Sequence, residues 1–361
     1  MAAILLLLLL LTSTTHVLSD HPTAATTTTA TATAHNSFYL SRTTLFSNYD
    51  TMLRSFKIFI YAPPFPFTES TVFTTAPESQ FYTSLLRSRF VTDDPSQAHL
   101  FFLPFPPSIS TRNLARLVRS IRIAFPFWNR TLGADHFYLS AAGVDSSSDR
   151  NVVELKKNSV QISCFPTTSG LFIPHKDITL PPVHTFQVTT TTSPANSTPA
   201  FLGYMKVRER STPVSLIEEI TGDPVFKVEY SPPANSEFMK RSSFCLFVYG
   251  DDMTWMVEAM AARCVPVVIT DRPIQDLPLM DVVKWSEMAV FVGSGGGAKG
   301  LKGVLDGITK IRYEQMVESG VMATHHLVWN TEPQPHDAFH MILYQLWLRR
   351  HTIRYARWAE Q

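Results

Sequence analysis

Short apolar runs alternate with stretches of helical periodicity in the first half of the chain. The pattern predicts strands at 56–61, 99–104, 136–140 and 160–164. It predicts helices at 78–89, 112–124 and 152–157, and Thr111 and Asp149 are well placed to cap the last two. Strands that alternate with helices favour a parallel sheet covered on both faces.

The second half repeats this alternation after a stretch rich in Thr, Ser and Pro. That stretch, residues 188–199, is the predicted linker between an N-terminal domain (55–187) and a C-terminal domain (200–361). The second domain is predicted to contain strands at 200–204, 244–248 and 265–269, and helices at 299–311 and 337–357. A chain of 361 residues with 45% hydrophobic residues can form two cores of this size.

Polar groups stand where the strands of the unit at 242–292 end. Gly250 follows its first strand, Glu258 lies in its helix, and Asp271 follows its second strand. In open α/β sheets, ligands bind at the carboxyl ends of the strands. Glu258 is therefore the candidate to accept hydrogen bonds from ribose hydroxyls, and the alternative is an ordinary solvated glutamate on a helix.

The composition of the N-terminal residues differs from that of the rest of the chain. Residues 2–11 are an unbroken apolar run, shorter than the roughly 20 residues of a membrane span, so residues 1–19 are interpreted as a signal peptide or a signal anchor. Residues 20–54, which begin with a tract of Thr and Ala, are predicted to be a disordered stem. Asn129 and Asn196 stand in N-glycosylation sequons, and Asn196, in its polar loop, is the better candidate.

Charge and cysteine content narrow the function classes. The formal net charge of +1 gives no strong field toward nucleic acid, so no nucleic-acid partner is expected. The three cysteines, Cys164, Cys245 and Cys264, are an odd number and form no disulfide framework. Cys245 and Cys264 are interpreted as buried packing residues, with one disulfide in an oxidising lumen as the alternative.

Several motifs, in order along the chain, resemble the exostosin-like family of inverting glycosyltransferases, especially its plant members (family 47). Residues 243–271 are similar to its SKFCL segment, Gly loop, EA pair and GCVPVII strand with a terminal Asp. The segments 90–102, 127–130, 133–137 and 173–177 resemble its RFVTDDPEEAHLFFVP, PFWNR, GADHF and IPHKD motifs. The resemblance spans about residues 55 to 350.

The resemblance implies an α/β fold of the GT-B type, in which two doubly wound Rossmann-like domains face a cleft. It implies an enzyme that moves a sugar from a nucleotide-sugar donor, with UDP as the expected nucleotide, to a cell-wall-type polysaccharide or glycan. It places the catalytic domain in the Golgi lumen, tethered to the membrane by a type II anchor. No metal or other cofactor is implied, and a hetero-oligomer with other glycosyltransferases is a further expectation.

Positive charge must stabilise the leaving diphosphate in such a transfer. Lys206, Arg208 and Arg210 follow the first strand of the second domain, and Arg208 loosely matches a family arginine. The alternative is a solvated basic turn. Asp271 is expected either to bind donor hydroxyls or to cap a turn. Gly250 is interpreted as part of a loop, in preference to a metal-binding pair formed by the two aspartates after it.

The acceptor hydroxyl must lose a proton to a base. Asp135 and His136 precede a predicted strand and are the catalytic candidates, because histidine titrates near neutral pH. His175 is a second candidate, and a structural role is the alternative for both histidines. The glycine run 293–297 is interpreted as a flexible loop, because no Lys-Ser/Thr follows it.

The residues expected at the reaction centre depart from the family pattern. Residues 253–255 (Met-Thr-Trp) replace a Ser-Pro-Arg segment, and residues 141–143 (Ala-Ala-Gly) replace Cys-His-Asp. Two alternatives to an active transferase therefore stay open. One is a catalytically weak or silent partner subunit of a glycosyltransferase complex, and the other is a carbohydrate-binding protein without transfer activity.

Overall fold

The computed structural model describes residues 38–167, 170–183, 199–207, 214–230 and 236–358. The apolar N-terminus, the Thr-rich tract, nearly all of the predicted linker and the Asn196 sequon lie outside these residues, so the predictions made for them stay predictions. Among the described residues, no helix combines the length and the apolar character that a membrane crossing requires.

The N-terminal sheet has five parallel strands that lie side by side in chain order. They are β1 (Ile58–Ile60), β2 (Leu100–Phe102), β3 (His136–Leu139), β4 (Val160–Cys164) and β5 (Ile178–Leu180). A parallel bridge between Ile58 and Val91 adds a further neighbour outside β1. The segment at Val91 therefore lies on one side of β1, and β2, the next strand in the chain, lies on the opposite side. This reversal of direction is the doubly wound order that was predicted.

Five helices accompany this sheet: α1 (Arg42–Ser55), α2 (Glu78–Leu86), α3 (Thr111–Ala124), α4 (Phe127–Thr131) and α5 (Arg150–Asn158). Asp149 caps α5 as predicted, since its Oδ1 accepts a hydrogen bond of 2.8 Å from the Asn151 amide. Ser110 caps α3 in place of Thr111, because the helix begins one residue earlier than predicted.

Helix α1 corrects the prediction of a disordered stem that extends to residue 54. Leu45, Tyr49 and Met52 are buried on one face of this helix, inside the largest hydrophobic core. Just before it, Tyr39 forms an antiparallel bridge with Val283 of the C-terminal domain. The spacing of four and three residues is helical, but the Thr-rich composition of the preceding residues concealed it.

The C-terminal sheet is also parallel, with the order β7-β6-β8-β9-β10. Its strands are β6 (Phe201–Val207), β7 (Phe226–Tyr230), β8 (Ser242–Val248), β9 (Val265–Ile269) and β10 (Val290–Val292). Because β7 and β8 lie on opposite sides of β6, the winding reverses between β6 and β8. Two doubly wound sheets make the fold GT-B, as the sequence predicted.

The helices of the C-terminal half are α6 (Val214–Gly222), α7 (Glu237–Lys240), α8 (Met256–Ala261), α9 (Gly297–Asp306), α10 (Lys310–Leu327) and α11 (Ala338–Trp358). The single helix predicted at 299–311 is two helices, because the chain breaks at Gly307 and Thr309 caps α10. Helix α11 returns to the first domain, where Arg349 donates to the carbonyl oxygens of Lys176 and Asp177.

Cys245 and Cys264 form a disulfide, with their Cα atoms 5.6 Å apart. Both residues are buried as expected, and the alternative of one disulfide is the one that the structure contains. Cys245 lies in β8, and Cys264 immediately precedes the neighbouring strand β9, so strand pairing brings the two sulfurs together. Cys164 is free.

The double variant Cys245→Ala/Cys264→Ala is expected to lose about 3 kcal/mol of unfolding free energy, because the bridge closes a loop of moderate length in the unfolded chain. The two cysteines are 19 residues apart in sequence. Chemical denaturation under non-reducing conditions measures the loss, and Cys164→Ala is the control that breaks no bridge. A double variant as stable as this control would contradict the expectation.

Candidate active site

The candidate donor site lies where the winding of the C-terminal sheet reverses, at the carboxyl ends of β6 and β8. Lys206 is the penultimate residue of β6, Gly250 lies in the loop after β8, and Glu258 lies on α8 beyond that loop. Ligands of open α/β sheets bind in this crevice, because loops diverge there and leave room between them. The fold therefore brings three of the predicted donor-site residues to one place.

Lys206, Trp255 and Glu258 form a compact group in this crevice. The Lys206 ammonium is 3.8 Å from the Glu258 carboxylate and 4.9 Å from the centre of the Trp255 ring. Glu258 is only 8% exposed, so it is not the solvated helical glutamate of the alternative interpretation. Attraction to the aromatic face and to the carboxylate holds the lysine charge at the crevice.

Trp255 lies in the segment 253–255, which differs from the Ser-Pro-Arg that the family resemblance implies. The side chain is 5% exposed, and its Nε1 has no hydrogen-bond partner among the described residues. This N–H is enclosed by protein, so Trp255 contributes packing and the aromatic face beside which the Lys206 ammonium lies.

A polar network behind this group was missed in the sequence. Glu229 on β7 accepts hydrogen bonds from Tyr204 (2.7 Å) and Ser236 (2.6 Å). Burial raises the pKa of Tyr204, and the carboxylates of Glu229 and Glu258 raise it further. The residues of this network lie at positions 204, 229 and 236, and no recognisable sequence motif links them.

The loop after β8 has the geometry of a turn. Gly250 has a φ of +98°, a conformation that glycine adopts without strain. Asp252 accepts hydrogen bonds from the amide and the hydroxyl of Thr254, so it serves the loop itself. No group of three or more metal-ligating side chains occurs in the part of the chain that the structure describes.

Asp271 serves to hold two loops together. Its carboxylate accepts hydrogen bonds from the Ser294 amide (2.8 Å) and hydroxyl (2.5 Å), which lower the pKa of Asp271. The glycine run that follows β10 leads into α9, whose first turn contacts a side chain of the protein. The Ala298 amide at the start of α9 donates to Glu219 (2.9 Å), so a carboxylate of the protein occupies the place that a phosphate would take.

Asp276 joins the two domains at the carboxyl edges of their sheets. It lies in the C-terminal domain and accepts hydrogen bonds from the amide (2.9 Å) and the hydroxyl (2.7 Å) of Thr167, which follows β4. Its other oxygen accepts from the Tyr249 hydroxyl (2.6 Å), just after β8. The carboxyl edges of the two sheets therefore face each other across the candidate cleft.

His136, the predicted base, lies away from this cleft. It begins β3, at the amino edge of the sheet, and is completely buried. Its Nδ1 is 2.8 Å from Asp135, which can only accept, so Nδ1 carries the proton and Nε2 accepts from the Tyr61 hydroxyl at 3.0 Å. Burial lowers the pKa of His136. With both nitrogens engaged and no path to an acceptor, it is not positioned to act as a base.

The Asp135 carboxylate is likewise occupied by partners within the N-terminal domain. Burial alone would raise its pKa, but hydrogen bonds from His136 and Thr131, together with the Arg130 charge, hold the pKa of Asp135 below its usual range. Arg130 Nη2 is 3.0 Å from the carboxylate. The pair Asp135–His136 therefore belongs to a structural network and not to the cleft.

The comparison with known families fits this architecture. The model of the Exostosin GT47 domain matches residues 52–296, which is more than half of the chain. The chain belongs to the exostosin GT47 family. It is a glycosyltransferase of that family, in agreement with the resemblance of its motifs.

Relatives of this GT47 protein are found in plants. A "probable glycosyltransferase" of Arabidopsis thaliana is 29% identical over 89% of this chain and 73% of its own length. A "probable glucuronosyltransferase" of Oryza sativa subsp. japonica is 26% identical over 80% of each chain. Among solved structures, WaaG, a glycosyltransferase involved in lipopolysaccharide biosynthesis, gives a TM-score of 0.35 at 11% identity, over 80% of this chain and 98% of its own.

Two of the GT47 motifs prove to hold the fold. In the PFWNR segment, Arg130 stacks on the rings of Phe101 and Phe127, at 5.3 and 5.2 Å from their centres. Trp128 packs so closely on Gly133 that a Cβ there would lie 2.7 Å from the indole. These contacts explain the residue types without any role in catalysis.

The IPHKD segment anchors the first domain to the last helix. Asp177 is buried and accepts hydrogen bonds from the amides of Gln161 (2.9 Å) and Ile173 (2.8 Å), and it pairs with Lys176. His175 is exposed in the loop that precedes β5, at the amino edge of the sheet. The second candidate base is therefore also outside the cleft.

Arg208 and Arg210, the predicted diphosphate contacts, lie outside the described residues, since the described part of β6 ends at Val207. Their assignment stays a prediction. Lys206 is the cation that the structure itself brings to the crevice.

Proposed function

We propose that this GT47 enzyme transfers a sugar, with inversion, from a UDP-linked donor to a cell-wall-type polysaccharide or glycan. The observation that carries the proposal is the group of Lys206, Trp255 and Glu258 at the point where the sheet winding reverses. In that group, Glu258 accepts hydrogen bonds from the ribose hydroxyls, while the Lys206 ammonium, held beside the Trp255 ring, faces the diphosphate. No metal takes part in this proposal.

The diphosphate needs more charge than one lysine supplies when the sugar departs. We propose Arg208 as the second cation, because it follows Lys206 by two residues, and its guanidinium can contact two phosphate oxygens at once. The names of the rice relatives favour glucuronic acid among the donor sugars to be tested first.

The proposed setting is the Golgi lumen, with a type II anchor formed by residues 1–19. The Cys245–Cys264 disulfide supports an oxidising compartment, because such bonds are rare in the reducing cytosol. Asn129, which was expected to be less accessible than Asn196, is exposed on α4 and is a second acceptor for N-glycans. Endoglycosidase sensitivity and resistance to carbonate extraction test this setting, and an unglycosylated cytosolic product would contradict it.

A second function is favoured by one observation, the replacement of the family arginine by the segment 253–255, in which Met253 and Trp255 are buried. A chain with a weakened donor site would act as a partner that supports an active transferase in a hetero-oligomer.

One experiment separates the two functions. The purified luminal part is incubated with a panel of UDP-sugars and oligosaccharide acceptors, alone and with co-expressed GT47 transferases, while calorimetry measures UDP binding. Transfer by the chain alone supports the enzyme. UDP binding without transfer, together with activity only in the complex, supports the partner. Absence of UDP binding contradicts the donor site.

Glu258→Ala is expected to weaken UDP binding tenfold to a hundredfold, because a charge-assisted hydrogen bond to ribose, worth about 1.5–3 kcal/mol, is lost. Glu258→Gln keeps the shape and one acceptor oxygen and should lose less. Glu237→Ala, on the exposed surface of the same domain, is the matched control. Unchanged affinity in a folded Glu258→Ala variant would show that this carboxylate does not bind the ribose.

A further inference from the structure

Glu78 places a carboxylate at the cleft edge of the N-terminal sheet. It is the first residue of α2, and its Oε1 accepts a hydrogen bond of 2.8 Å from the amide of Ala141, two residues after the end of β3. Its charge also reaches Cys164, the last residue of β4, where it adds to the effect of burial in raising the pKa of that thiol to about 12. The carboxylate therefore lies beside the carboxyl ends of two adjacent strands.

This carboxylate has an unusual environment. Glu78 is 2% exposed, and no basic side chain of the described residues pairs with it. Burial raises the pKa of Glu78, and the single amide hydrogen bond from Ala141 only partly opposes the rise. A buried acid without a cation is costly, and such groups concentrate at functional sites.

The buried acid Asp177 in the same sheet makes the contrast clear. It lies at the amino edge, where a lysine and two backbone amides satisfy it. Glu78 lies at the opposite edge, and three residues beyond β4 that edge is joined to the C-terminal domain through Thr167 and Asp276. The side of the sheet that carries Glu78 therefore faces the proposed donor site.

We propose that Glu78 is the catalytic base that takes the proton of the attacking acceptor hydroxyl. This inference rests on the proposed glycosyl transfer. The acceptor oxygen forms a bond to the anomeric carbon of the donor sugar, while the bond from that carbon to the phosphate oxygen breaks. The bonding electron pair leaves with the nucleoside diphosphate, and the acceptor proton passes to the Glu78 carboxylate. Attack from the side opposite the diphosphate inverts the anomeric centre.

The environment of Glu78 suits this task. A carboxylate with an ordinary pKa is a weak base at neutral pH, and burial without a cation makes it more basic. The Ala141 amide holds one oxygen in place. His136, by contrast, has both ring nitrogens engaged at the far edge of the sheet.

The test is Glu78→Gln in the full chain, assayed with the donor and acceptor that the screen identifies. The glutamine carbonyl still accepts from the Ala141 amide, so fold and UDP affinity should match those of the parent. Turnover should fall by roughly a hundredfold to ten-thousandfold, the usual contribution of a general base. The acid limb of the pH profile of kcat/KM should disappear. The control is Cys164→Ser, which changes a neighbour of Glu78 that takes no part in the proposed proton transfer. This variant should keep near-parental turnover.

A folded Glu78→Gln enzyme with parental turnover and an unchanged acid limb would overturn the inference alone. A parent that transfers no sugar from any donor would overturn the proposed function, and the inference with it. If the glutamine variant does not fold, Glu78→Asp tests the inference instead. This variant keeps the charge but moves the carboxylate back by the length of one methylene group. Large loss of turnover with parental UDP affinity in that variant supports the inference, and parental turnover contradicts it.

Discussion

Replacing His136 with alanine is expected to lower the free energy of unfolding by about 4 kcal/mol, the combined effect of a core cavity and of buried polar partners left unpaired. The imidazole is enclosed by aromatic rings, with the centre of Trp128 at 4.8 Å and that of Phe101 at 5.0 Å. Its removal also leaves the Tyr61 hydroxyl and the Asp135 carboxylate without the hydrogen bonds described above. A typical domain is stable by only 5–15 kcal/mol, so the loss is large.

Chemical denaturation measures this loss, and His175→Ala, which changes an exposed histidine of the same domain, should stay within about 0.5 kcal/mol of the parent. The same experiment separates a structural histidine from a catalytic one. A His136→Ala protein with parental stability but with turnover reduced a hundredfold would restore the assignment of His136 as the base. Parental turnover per folded molecule supports the structural role.

The architecture could be predicted from the sequence because it depends on local patterns. Apolar runs of strand length, helical spacing and the Asp149 cap each act within a few residues, and they placed most of the sheet elements correctly. The position of Glu258 beside the crevice could be predicted for the same reason, since the strand–helix–strand unit around it is continuous in sequence.

The surroundings of the polar residues at the two edges of the N-terminal sheet could not be predicted in this way. Asp135 and His136 look like a catalytic pair because their chemistry is visible in the sequence, whereas their burial depends on rings contributed by distant segments. Glu78 shows the opposite case. An acidic residue at the start of a helix is ordinary, and only the contact with Ala141, 63 residues away, reveals its position.

The disulfide and the first helix illustrate two further limits. Whether Cys245 and Cys264 meet depends on the pairing of β8 with β9, which an odd count of cysteines does not reveal. Helix α1 depends on a core assembled from both domains, so the composition of the neighbouring residues gave the wrong expectation. In each case the decisive contact is made through strand pairing or core packing, which the pattern of the neighbouring residues does not show.

Asp276→Ala is expected to destabilise the protein by about 5 kcal/mol, near the lower end of the range for three hydrogen bonds to a charged group at about 1.5–3 kcal/mol each. Asp276 is only 3% exposed, so water cannot readily replace the lost acceptor for Thr167 and Tyr249. Because the two bonds from Thr167 join the two domains, a large part of the loss falls on the coupling between the domains. Differential scanning calorimetry should therefore show one cooperative transition in the parent and two in the variant.

The matched control is Asp271→Ala, which removes an exposed carboxylate whose partner Ser294 belongs to the same domain. It should keep the single transition, and it should cost about 1 kcal/mol or less, as exposed hydrogen bonds do. Asp276→Asn retains one acceptor oxygen and should fall between the two. If Asp276→Ala unfolds in one transition at the parental midpoint, the domains are held together elsewhere, by α11 and its contacts with Lys176 and Asp177. If the two transitions appear, the Asp276 carboxylate couples the sheet edge that carries Glu78 to the domain that carries Glu258, and transfer should slow while UDP affinity is retained.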